Sequence, residues 1–167
     1  MTAFAVLFCV YLRQRAAHPA AFAAAQGTLD RGLGVLNTLL LLSSSLLVVL
    51  ATRGLRAPGR GRASWLLVGA MALGLGFVGV KAVEYHALVA AGLTPDTSAF
   101  YMYYFALTGL HLAHLTLGLV ALGVLFALSR KPALSAGRLR LVEGGACFWH
   151  MVDLLWIIIF PLIYLVR

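Results

Sequence analysis

Four apolar stretches constrain the fold more than any other feature: roughly Leu33 to Ala51, Trp65 to Leu88, Phe100 to Leu128 and Ala146 to Val166. A helix needs about 20 such residues to cross the hydrocarbon core of a bilayer, so each stretch reads as a membrane span. The third is longer than a crossing requires and is expected to tilt or to run past the bilayer. A fifth apolar run, Ala3 to Leu12, is only half a span and ends in Tyr11-Leu-Arg13-Gln-Arg15, an aromatic followed by charge as at a membrane exit. It reads as a partial helix over residues 2–12 whose first turns precede Met1. Composition agrees, with 62% hydrophobic residues against about 45–50% in soluble domains. The expected fold is an all-α integral membrane bundle, a single domain over residues 1–167 with four full transmembrane helices and a shortened N-terminal one.

The net charge of +8 would suggest nucleic acid in a soluble protein. Here the cations sit between apolar runs, and nothing outside the membrane is large enough to carry a basic binding face, so nucleic acid is excluded as a partner. Arg53, Arg56, Arg60 and Arg62 lie in one loop, with Pro58 and Gly59 as turn signals, and Arg130, Lys131, Arg138 and Arg140 in another. Two spans, Trp65 to Leu88 and Phe100 to Leu128, lie between these loops, so both face the same compartment. The positive-inside rule places them in the cytoplasm of a bacterial inner membrane, with the C-terminus and Arg167 periplasmic; Arg13 and Arg15 pull the other way. The alanine-rich segment from Ala16 to Asp30 suits a short interfacial helix. Cys9 and Cys147 have neither metal-ligand nor disulfide spacing and read as small buried hydrophobes.

Ionisable groups inside the spans carry the functional information, because each is costly in lipid unless it faces protein, water or a partner. In the last span His150 and Asp153 are three residues apart and share a helix face with Trp149, Trp156 and Tyr164, while Met151, Leu155, Ile158 and Leu162 suit lipid. In the second, Ala70 and Gly74 allow close helix approach on the face that continues to Phe77, Lys81, Glu84 and Tyr85. Lys81 and Glu84 form an ion pair or snorkel together to the interface. In the third, Tyr104, Thr108, His111 and Leu115 form one stripe with His114 at its border, and Gly109 and Ala113 a small-residue pair on the other side. Asn37, Ser44 and Ser45 supply polar contacts from the first. Interhelical hydrogen bonding is the favoured reading of these groups. Two alternatives stay open: a haem-binding electron-transfer protein using His111, His114 and His150, and a small proton or ion transporter using Lys81, Glu84 and Asp153. No soluble-enzyme motif, phosphate loop or zinc motif is present.

Taken together, Leu36-Asn37-Thr38 with Leu42-Ser43-Ser44-Ser45, Lys81-Ala-Val-Glu84-Tyr85, Thr108-Gly109-Leu-His111-Leu-Ala-His114 with Gly118, and Glu143-Gly-Gly-Ala with Trp149-His150-Met-Val-Asp153-Leu-Leu-Trp156 resemble, in order and spacing, subunit III of the haem–copper oxidases (cytochrome c and quinol oxidases). The stretch from Gly92 to Phe105 looks most like the small accessory protein encoded with bacterial nitric oxide reductase. The resemblance implies a five-helix bundle with no catalytic residue, metal or redox cofactor of its own. It implies packing against the haem-containing catalytic subunit of an oxidase or nitric oxide reductase, with phospholipid in a cleft beside the first helices. It makes Asn37, Glu84, His111, His114, Glu143, His150 and Asp153 buried interhelical or interface contacts. The family's first helix usually carries a buried acid near its middle, which aligns at or before Met1, and a neutral residue commonly stands where this chain has Lys81.

Overall fold

The computed structural model describes residues 2–56, 61–132 and 135–165. Pro58, Gly59 and Arg60 of the first basic loop, and Val166 and Arg167 at the tail, lie outside the described residues. The elements are α1 (Thr2–Ala17), α2 (Pro19–Gln26), α3 (Arg31–Arg56), α4 (Gly61–Ala90), α5 (Ala99–Ser129) and α6 (Ala136–Phe160), the last continuing into a single π turn, Pro161–Leu165. Among the described residues there is no strand. Four helices are long and apolar enough to span: α3, α4, α5 and α6 with its π turn. The chain is a multi-pass membrane protein.

Each span outruns its apolar core, and local chemistry sets the ends. Asp30 Oδ1 accepts from the amides of Gly32 at 2.8 Å and Leu33 at 3.4 Å, satisfying donors that the first turn of α3 leaves free. Gly92, with φ 74°, closes α4 in the left-handed region. Its amide bonds the Val89 carbonyl and that of Leu93 bonds Leu88, at 3.0 and 2.9 Å, a Schellman stop. Ser135 caps α6 through the Arg138 amide, so this helix starts ten residues before the expected Ala146. Arg138 and Arg140, expected in the loop, belong to its first turns together with Glu143. The short helix expected in the first loop is present as α2.

The bundle is antiparallel. At the basic end the Ser64 and Ser129 hydroxyls bond at 2.8 Å, joining the start of α4 to the end of α5. On the far side of that end Arg56 of α3 pairs with Glu143 of α6. At the opposite end Thr28 bonds Tyr101 at 2.7 Å. The two arginine-bearing connections therefore do share one end. α1 packs on α5 with Phe4 against His114, ring centroids 5.3 Å apart; α1 therefore covers the N-terminal half of α5, away from the basic end.

α6 lies between α3 and α5 and contacts both. That position corrects the single lipid face expected for it: Leu155 is 4% exposed, while Ile158 does face outward at 52%. A helix gripped on two sides keeps only about a third of its circumference for lipid. Cys9 and Cys147 are exposed on the outer surface, not buried. A Cβ on Gly109 would meet nothing within 4 Å and Ala113 is exposed, so that small-residue pair does not mark a close helix approach among the described residues.

Candidate functional site

Small residues make room for the centre of the bundle. A Cβ on Gly74 would fall 2.8 Å from the Trp149 ring, and one on Gly118 would also fall 2.8 Å from it. The indole of Trp149 therefore sits in a slot between α4 and α5 that only glycine leaves open. Ala70 faces α3, where Ser44 Oγ donates to its carbonyl at 2.8 Å.

About two turns toward the opposite end, Trp156 organises the next layer. Its Nε1 donates to Thr38 Oγ1 at 3.1 Å. Phe77 meets its ring edge-on at 4.9 Å and His111 lies 5.4 Å away. Above it is a cage of charges. Lys81 Nζ stands 2.8 Å from Glu84 Oε2, with the two side chains 1% and 4% exposed. The same ammonium donates to Tyr164 at 2.8 Å and to Tyr104 at 3.3 Å, and lies 4.8 Å from the Trp156 ring centroid. Tyr164 in turn donates to the other Glu84 oxygen. Tyr85 bonds Thr108, whose hydroxyl also donates to the Tyr104 carbonyl at 2.6 Å.

Of the two fates expected for Lys81 and Glu84, the structure shows mutual neutralisation inside the bundle rather than snorkelling. Each charge has its opposite in contact, and the remaining donors and acceptors are phenols or π faces, which is the condition for an ion pair to persist without water. Tyr104, Thr108, His111 and Leu115 are all buried along one stripe, and Trp149, Trp156 and Tyr164 are fully buried on α6.

The other predicted residues do not converge. His114 is half-buried, its Nδ1 on the Leu110 carbonyl at 2.8 Å. His150, also half-buried, bonds Ser45 through Nδ1 and lines a groove of about 420 Å³ with Thr52, Arg53 and Glu143. Asp153 points inward beside Ser45. Asn37, His111 and Asp153 are buried with no hydrogen-bond partner for their side-chain polar atoms among the described residues. Glu143, expected to be buried, is half-exposed and pairs with Arg56 at the surface. Among the described residues no group of three or more His, Cys, Asp and Glu could hold a metal ion. The three histidines point to different neighbours: His111 to Phe77 and Trp156, His114 to Phe4, His150 to Ser45. The functional residue that sequence reasoning left without a partner is Tyr164. It was placed on the right face of α6, but its bonds to Lys81 and Glu84 span 83 and 80 residues and no local spacing rule predicts them.

Comparison with known proteins matches residues 22–166 to the family model described as cytochrome c oxidase subunit III. The cytochrome bo(3) ubiquinol oxidase subunit 3 of Pseudomonas aeruginosa is 35% identical over 132 residues, 78% of this chain and 63% of its own length. Cytochrome c oxidase subunit 3 of Alkalihalophilus pseudofirmus is 33% identical over 130 residues, 77% of this chain and 63% of its own. Cytochrome c oxidase subunit 3 of Thermostichus vulcanus is 32% identical over 165 residues, 97% of this chain and 79% of its own. The chain thus spans just under two thirds of the length of the first two of these relatives. With a family model covering most of its residues and these relatives over most of its length, the chain belongs to the cytochrome c oxidase subunit III family.

Proposed function

We propose that this chain is a non-catalytic accessory subunit of a haem–copper terminal oxidase, embedded beside the catalytic subunit and supporting its assembly and sustained turnover. The observation that carries this reading is how the membrane-buried charges are used. Lys81 and Glu84 are spent on each other and on Tyr104 and Tyr164, so their charges are met by partners inside the bundle. The family to which the chain belongs supplies the partner class, and the relatives named above are subunits of quinol and cytochrome c oxidases. The narrower reading, a nitric oxide reductase as partner, rests on the stretch from Gly92 to Phe105 alone.

The chain has no redox centre of its own on this reading. A bis-histidine haem needs two imidazoles facing one flat slot, whereas His111, His114 and His150 diverge and the rings of Phe77 and Trp156 occupy the space beside His111. Gentle-detergent purification from its host membrane tests the proposal: a tagged chain should bring down a haem-containing oxidase, and its deletion should shorten the oxidase's active lifetime. Failure to co-purify with any haem protein, together with unchanged oxidase turnover on deletion, overturns it. A Soret band in the chain freed of partners overturns the absence of its own haem.

A further inference from the structure

At the basic end a groove of about 450 Å³ opens on the outer surface between the first turns of α4 and the last turns of α5. Its floor is the bonded pair Ser64 and Ser129, its walls are Trp65, Val68 and Phe126, and Arg130 stands at its mouth. We propose that this groove binds an anionic phospholipid, with the phosphate at Arg130 and the upper acyl chain along Val68 and Phe126.

Three observations select that occupant. Arg130 is held over the groove by its contact with the Phe126 ring, 5.8 Å from guanidinium to centroid, so the cation is positioned before any ligand arrives. Charge near the groove is of one sign. Arg62 follows Gly61 of the lining and Lys131 follows Arg130, and among the described residues no carboxylate lines it. At this end Glu143 is tied to Arg56 on the α3–α6 side. The groove there, between α3 and α6, includes that carboxylate in its lining and is already compensated. Finally, Trp65 is 78% exposed at the start of a membrane span. An indole in that position sits at the depth of the headgroups, apolar body in the acyl region and N–H toward water. This groove is separate from any cleft beside the first helices, since α1 and α2 pack on the opposite half of α5.

The other two indoles, Trp149 and Trp156, are fully buried, so quenching of tryptophan emission by lipid reports on Trp65 at the groove. The full chain in nanodiscs of phosphatidylcholine is doped with an equal fraction of phosphatidylglycerol or phosphatidylcholine brominated on the acyl chain near the glycerol. Brominated phosphatidylglycerol is expected to quench more strongly, and Trp65→Phe to remove the quenchable component. Arg130→Gln is expected to reduce the preference for phosphatidylglycerol about fivefold, and Arg140→Gln, an exposed cation on α6 at the same end, to leave it. Equal quenching by the two lipids overturns the proposal, as does quenching that survives Trp65→Phe. An equal loss on Arg140→Gln reduces the site to a diffuse basic surface. Reversal of the preference by millimolar inorganic phosphate makes it a general anion site; either result also overturns the proposal.

Discussion

Lys81 stands in membrane with a carboxylate three residues along its own helix and a phenol from the last turn of the chain. Charges removed from water cost several kcal/mol apiece, and removing one partner of a buried pair leaves the other uncompensated, a loss of about 3–5 kcal/mol. Lys81→Met and Glu84→Gln should each lower stability in detergent on that scale, read as a fall in melting temperature. The double variant Lys81→Met/Glu84→Met should recover a large part of the loss, because no charge is then stranded. Single variants that melt like the wild type would mean the cage is not formed. Half of this cage was legible in the sequence. Opposite charges three apart on a helix face are within reach of each other, whereas Tyr164 joins them only through the packing of α6 against α4 and α5. Glu143 was misplaced for a related reason. Its motif matched the family, but burial depends on where α6 leaves the membrane, and Ser135 starts that helix ten residues before the apolar run begins.

The element that places Tyr164 is the π turn at Pro161. Proline lacks an amide hydrogen, so the fourth carbonyl before it loses its partner and the helix widens. The carbonyls of the final turn need donors from elsewhere. That of Leu162 receives Tyr11 at 3.2 Å, Arg15 at 3.4 Å and Gln26 at 3.5 Å, which ties α1 and α2 to the end of α6. Pro161→Ala lets the helix continue regularly and turns Tyr164 away from Glu84. It is therefore expected to destabilise by about 1–3 kcal/mol in spite of alanine's better helix propensity. Tyr164→Phe should cost a similar amount, and the double variant little more than either, since both remove the same bonds. Additive losses in unfolding titrations would separate the π turn from the cage. At this scale the spans were legible because hydropathy alone defines them, while the lipid-facing side of α6 was not. Periodicity shows that a helix has two faces; it does not show that α3 and α5 grip two sides of it and take Leu155 with them.

For the whole molecule the open quantity is which end of the bundle faces the cytoplasm. Arg53, Arg56, Arg62, Arg130, Lys131, Arg138 and Arg140 gather at one end, as the Ser64–Ser129 and Arg56–Glu143 contacts show. Against them stand Arg13 and Arg15 at the other end, the two residues that made the sequence ambiguous. Arg15 donates to the Leu162 carbonyl, so its side chain is engaged in holding α1 to the π turn, and the positive-inside bias counts short basic loops near span ends. On this balance we propose that the basic end faces the cytoplasm and the π turn lies near the periplasmic face. A green fluorescent protein fused after the last residue should then be dark and an alkaline phosphatase fused there active. The same reporters fused after Lys131, with α6 removed, should give the reverse. Fluorescence at the C-terminus would invert the molecule, and the Lys81–Glu84 cage would then lie toward the cytoplasm instead of the periplasm.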